Sequence, residues 1–123
     1  MMNIFYDENM PFAAEFFADL GILTPFSGRS LSANDVSDAD VLLVRSITKV
    51  NEALLNENTQ LSFVGTATIG VDHIEQSYLA HRNINFNSAP GCNAISVAEY
   101  VLSAMVVLAE RYLLSLSGLT VGI

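Results

Sequence analysis

The run "VRSITKV" gathers the residue types that hold an anion: the guanidinium of Arg45, the hydroxyls of Ser46 and Thr48, and the ammonium of Lys49. Arg45 and Lys49 are two of only five cations in a chain with 13 acids and a formal charge of -8. A guanidinium can fork onto a carboxylate or phosphate, with neighbouring hydroxyls adding donors. The same Arg45 can instead pair with Asp7 or Glu8 and leave Lys49 solvated. Both uses stay open from the residues alone.

A second stretch, "GTATIGVDHIE", packs two glycines and two threonines into a turn before Asp72 and Glu75, which have capping-box spacing for a helix start. Backbone N–H groups of such a turn can hold a carboxylate without a basic side chain, although glycine-rich turns also serve as plain loops. His73 falls at the expected helix start, where a structural role is expected rather than that of a general base. Cys92 has no histidine near it in sequence to activate its thiol and is read as inert. Asp7 and Glu8 could bind magnesium, but Asp7 could equally cap the first helix or pair with Arg45. No metal site is assigned.

The totals limit the classes. A chain of 123 residues with 51% hydrophobic content is one domain's worth and needs no disulfide or metal to build a core. The acidic balance argues against nucleic acid and anionic membranes as partners. One cysteine excludes an internal disulfide, gives zinc too few thiolates, and suits a reducing cytoplasm. The N-terminal "MMNIFYDENMP" lacks the basic region of a secretory signal, and the longest apolar run, Ala104–Ala109, is far shorter than the roughly 18 residues of a membrane span.

Strand candidates are Asn3–Tyr6, Ile22–Phe26, Val41–Val44, Ser62–Gly65 and Ile84–Phe86. Asn9 and Pro11 are start signals for a helix carrying Phe12, Phe16 and Leu20 at helical spacing and ending at Gly21. "GRSLSANDVSDAD" is polar and loop-like, with a short surface helix expected before the third strand. Strands alternating with helices imply a parallel sheet covered on both faces, and continuous apolar runs such as "VLLV" fit burial on both sides. The expected fold is α/β: a flavodoxin-like doubly wound sheet of order 2-1-3-4-5. Ligands of such sheets sit beyond the carboxyl ends of the strands, which places "DENMP", "RSITK", "GTATIGVDH" and "SAPGCN" on one rim. A phospho-acceptor domain shares this order but needs an aspartate where this sequence has Arg45.

After "PGCN", a helix is expected from Ala94 to Leu114, apolar on nearly every face except at Glu99, Glu110 and Arg111. It reads as a connector whose other face belongs to a further domain, with self-association through 94–114 as a consequence, the alternative being a helix that caps its own domain. Thr120, Val121 and Ile123 read as the start of a buried strand.

Three segments, "VRSITKVNEALL", "FVGTATIGVDHI" and "APGCNAISVAEYVLSAMVVLAER", together resemble the N-terminal part of the D-isomer-specific 2-hydroxyacid dehydrogenases. "YDENMPFAAEFFADLG" and "SGRSL" extend the likeness over essentially the whole chain. The wording "VRSITKVN" and "GTATIGVDH" narrows it to a branch acting on a small anionic 2-hydroxy acid phosphate. The resemblance implies a two-domain, NAD-dependent homodimer, with residues 1–93 as the substrate domain and 94–123 as a connecting helix plus the first strand of a Rossmann domain. It assigns Ser46 and Thr68 to substrate contact, Ala67, Ile69 and Gly70 with Thr68 to a carboxylate-holding turn, and Arg45 to a neighbouring cation. Asn93 and Val97 would lie near the nicotinamide. The family's catalytic arginine, glutamate and histidine and its G-x-G-x-x-G loop lie downstream of these motifs, and none occurs in this sequence. The 123-residue chain is therefore expected to be inactive by itself. The alternative is a free-standing binding module for small anions.

Overall fold

The computed structural model describes residues 1–122, which divide into two compact units, Met1–Pro90 and a second beginning at Gly91. In the first unit, β1 (Met2–Asp7), β2 (Gly21–Phe26), β3 (Val41–Val44), β4 (Phe63–Thr66) and β5 (Asn85–Asn87) form one sheet of order β2-β1-β3-β4-β5. Every pairing is parallel, in registers such as Phe5↔Leu42 and Val64↔Phe86. This is the expected flavodoxin-like order, with strand bounds displaced by a residue or so.

The helical connections are short: α1 (Ala13–Phe17), a 3-10 turn at Asn34–Val36, α2 (Glu52–Leu55) and α3 (Gln76–His81). Strands β3 and β4 lie inside the sheet, and their Leu42, Val44 and Val64 are buried together with Val36, Leu55 and Leu79 in one core. Burying such branched side chains removes about 1.5–3 kcal/mol of apolar exposure each, which holds the short helices that could not stand alone. A polar residue sits in the same interior. Asn58 donates to the carbonyls of Val36 and Ala39, and its Oδ1 accepts from the amides of Gln60 and Leu61.

Three local expectations are corrected. Helix α1 has only five residues, and Phe12 stands before it with φ 63. A phenylalanine in the left-handed region stops a helix from extending backwards. Phe16 and Leu20 are exposed, and the buried position of α1 is Ala13. Asp72–Glu75 opens no helix, because α3 starts at Gln76. Its backbone is instead drawn into a parallel bridge between Val50 and Ile74, with the Val50 amide donating to His73 O and the Glu75 amide to Val50 O, both at 2.8 Å. Glu75 turns its carboxylate to the Glu52 amide at the start of α2, at 3.4 Å.

The second unit is built on α4 (Ala94–Tyr112), none of whose 19 residues is buried. It ends two residues before the expected Leu114, because Leu113 takes the left-handed conformation (φ 53) and caps the helix through its own amide. Residues 120–122 form no strand. A parallel strand needs a neighbour to complete its backbone hydrogen bonds, and among the described residues no strand pairing includes them. Ile123, the last residue of that expected strand, lies outside the described residues.

Candidate functional site

The parallel sheet sends the segments after β1, β3, β4 and β5 to the same end, and strand order reverses between β1 and β3. Crevices at such reversals are where ligands enter open α/β sheets. Asp7 ends β1 and Arg45 follows β3, so the ion pair between them marks that point: Arg45 Nη1 lies 3.7 Å from Asp7 Oδ1. Asp7 is fully buried, accepts from the Asn9 amide at 2.9 Å, and leaves Oδ2 without a hydrogen-bond partner. Of the uses open to Arg45 and Asp7, the structure shows their pairing. Glu8 and Lys49 are exposed.

A cleft of about 310 Å³ lies between the loops after β3 and β4, lined by Ser46, Thr68, Gly70, Asp72 and His73. The Val50–Ile74 bridge brings these loops together. The Ala67 amide donates to Val44 O at 2.9 Å and the Ala89 amide to Thr68 O at 3.0 Å, tying the turn to the end of β3 and to the segment after β5. Of the expected substrate residues, the structure gathers Ser46, Thr68 and Gly70 here. Ala67 and Ile69 belong to the same turn and are exposed, while Arg45 does not line the cleft.

Inside the turn runs a chain of hydrogen bonds. Thr68 Oγ1 donates to Gly70 O at 2.9 Å, Thr66 Oγ1 is 2.6 Å from Thr68 Oγ1, and His73 Nε2 is 2.8 Å from Thr66 Oγ1. A hydroxyl has one proton to give. With Thr68's spent on Gly70 O, Thr66 must donate to Thr68, and His73 must donate to Thr66. The proton of the neutral ring is therefore on Nε2. Burial holds the His73 pKa below its ordinary value, and the neighbouring Asp72 carboxylate offsets this in part. His73 braces the turn, a role consistent with the structural one expected for it but reached from a loop rather than a helix start.

Bracing leaves the amides of the turn free. Among the described residues, those of Thr68, Ile69 and Gly70 donate to no protein acceptor. Three adjacent N–H groups in an exposed turn can take the two oxygens of a carboxylate. Thr66, the centre of the hydrogen-bond chain, has no special sequence signature, since only its place beside Thr68 and seven residues before His73 sets it apart.

Asn93 and Val97 belong to the second unit. Asn93 precedes α4 without a side-chain cap bond, and Val97 is half exposed. Cys92 is a free, exposed thiol. Among the described residues, no helix is long and apolar enough to cross a membrane.

A switch-point sheet with an anion-competent turn at its rim fits a known class: residues 4–120 match the family "D-isomer specific 2-hydroxyacid dehydrogenase, catalytic domain", and the chain belongs to it. Within that class it is similar to the erythronate-4-phosphate dehydrogenase of Colwellia psychrerythraea (69% identity over 99% of this chain) and to that of Tolumonas auensis (57% over 99%). The chain spans about a third of the length of these curated relatives, 34% and 33%. Among solved structures, it matches a D-lactate dehydrogenase from Aquifex aeolicus complexed with NAD and lactic acid. That match has a TM-score of 0.71 and 26% identity, covering 89% of this chain and 34% of that one. A glyoxylate/hydroxypyruvate reductase from Sinorhizobium meliloti shares the fold with a TM-score of 0.75 at 19% identity, covering 96% of this chain and 45% of that one.

Proposed function

We propose that this chain is the substrate-holding part of an NAD-dependent dehydrogenase that oxidises the 2-hydroxyl of 4-phospho-D-erythronate to the 2-oxo acid, a step of pyridoxine biosynthesis. The observation that carries the reading is the braced turn with free amides at Thr68, Ile69 and Gly70, beside Ser46 in one cleft. The turn takes the substrate carboxylate through backbone donors and the Thr68 side chain holds the turn's shape, while Ser46 supplies a hydroxyl to the same molecule. Arg45, balanced by Asp7, adds a fixed positive charge at the rim. High identity to dehydrogenases named for erythronate 4-phosphate supports the choice of substrate.

In the complete enzyme, residues 1–93 form the substrate domain, and 94–123 connect it to an NAD domain that brings Asn93 and Val97 near the nicotinamide. That enzyme is a cytoplasmic homodimer, and the exposed apolar residues of 94–114 drive association of the present chain. By itself the chain binds substrate without turning it over, since its residues include no dinucleotide loop. A titration of 4-phosphoerythronate followed by amide NMR shifts tests this. Saturable shifts at Ser46 and Thr66–Gly70, weakened in Ser46→Ala, are expected, with no NADH formed when NAD is added. No shift at millimolar ligand, or NADH formation by the purified chain, overturns the reading.

A further inference from the structure

Two loops beside this turn carry charge that the fold leaves unpaired. Gly28 follows β2 and Thr48 lies beyond β3, and the buried Thr48 hydroxyl donates to Gly28 O at 3.1 Å. The residue after each is a cation, Arg29 in one loop and Lys49 in the other. The hydrogen bond thus clamps two like charges onto one cleft of about 410 Å³, whose wall also includes Asn51, Thr48 and Leu54. No aspartate or glutamate lines it, in a chain with 13 acids. The Asp7 carboxylate lies against the lining residue Gly28 but is buried and paired with Arg45, and Asp35 holds the amide and hydroxyl of the lining residue Ser32; neither lines the cleft. Lys49 also borders a second cleft containing Asp72 and Glu75. Among the described residues, neither Arg29 nor Lys49 makes an ion pair or a side-chain hydrogen bond.

The clamp has little room to relax. A Cβ on Gly28 would stand 2.5 Å from Asp7 Oδ2 and 2.7 Å from Thr48 Oγ1, so the loop is seated directly on buried side chains. Its strands flank β1, at the reversal of strand order where these sheets take ligands. Two unpaired cations lining one cleft repel one another, and an anion in that cleft offsets the repulsion while gaining attraction from both.

We propose that the Arg29–Lys49 cleft is a binding site for a phosphate-class dianion carried on a small organic molecule. Arg29 supplies the planar fork and Lys49 a point charge, suited to a group of about two negative charges. Asn51 spends its Oδ1 on the Leu54 amide, which leaves its side-chain N–H groups to donate. The cleft exceeds the volume of a bare phosphate, and the apolar Leu54 faces the carbon part of the ligand. The ligand has two possible sources: the phosphate end of the hydroxy acid held by the Thr68–Gly70 turn, or a different phosphorylated metabolite. The inference itself rests on charge and geometry in Met1–Pro90 and stands apart from the proposed reaction.

The test is a titration of the 123-residue chain with inorganic phosphate at constant ionic strength, read by amide NMR. Saturable shifts at Arg29, Thr48, Lys49 and Asn51 are expected, with competition by sulfate and none by chloride. Arg29→Gln and Lys49→Gln each weaken binding by about threefold or more, and the double variant by about tenfold or more, in proteins whose spectra remain dispersed. If the source is the substrate, 4-phosphoerythronate shifts this cleft and the turn with a single affinity, and the double variant weakens both. If it is a separate metabolite, phosphate fills the cleft without changing the affinity of the turn for erythronate. The absence of saturable shifts with phosphate, or shifts that survive the double variant, overturns the site. Failure of erythronate to shift the turn strikes only the proposed function.

Discussion

Replacing Thr66 with valine keeps the shape of the side chain and removes its hydroxyl, which tests whether the hydrogen-bond chain from His73 to Gly70 holds the turn. Thr66 is only 4% exposed, so water cannot simply replace the lost group. Two hydrogen bonds disappear, the one it accepts from His73 and the one it donates to Thr68. At a net worth of about 0.5–1.5 kcal/mol each, the loss is about 1–3 kcal/mol. For a domain of this size each kcal/mol moves Tm by roughly 4–8 °C, so a loss of about 2 kcal/mol lowers it by about 8–16 °C. Urea unfolding gives the free energy, and amide hydrogen exchange at Ala67–Gly70 shows whether the turn opens locally before the domain unfolds. Thr66→Ser restores the hydroxyl and recovers most of the exchange protection. A Thr66→Val protein within about 0.5 kcal/mol of the parent, with unchanged exchange in the turn, would refute the bracing argument.

Three further outcomes follow from single contacts. Burial lowers the His73 pKa from its ordinary 6.5, so the unfolded chain binds the proton more readily; its contribution to stability is complete above pH 6.5 and declines as pH falls below it. Urea midpoints at pH 7.5 and 5.5 should differ less in His73→Asn than in the parent. Asn58→Ala removes four hydrogen bonds, three of them buried, and strands the Val36 and Ala39 carbonyls, costing about 3–5 kcal/mol by urea unfolding. Gly28→Ala drives a methyl against Asp7 and Thr48 and costs about 1–3 kcal/mol in the same assay.

How much of this was readable depends on the distance over which each feature is decided. Strand β3 was legible because "VLLV" is apolar on both faces of a strand, and only an interior position in a covered sheet uses such a run. The grouping of Ser46, Thr68 and Gly70 was legible for a related reason: the parallel order sends the ends of β3 and β4 to the same rim. Features settled by a partner far along the chain were not. Asp72 and Glu75 have the spacing of a helix start, yet Val50 captures the backbone between them, and no local pattern announces a bridge to Val50. Arg45 could be a ligand or an ion-pair partner on local grounds, and only the fold shows that the buried Asp7 stands 3.7 Å from it. Asn58 looks like part of a polar loop in "NENTQ", but it is buried, because the carbonyls of Val36 and Ala39 need donors that this stretch of chain can supply. Composition reports the average environment of a segment, whereas a buried polar side chain is fixed by the unpaired groups it meets across the fold. The same reasoning separates the two loops of the rim. Arg45 has a counter-charge in the buried Asp7, while among the described residues Arg29 and Lys49 pair with no acid, a difference that no local pattern in the sequence announces.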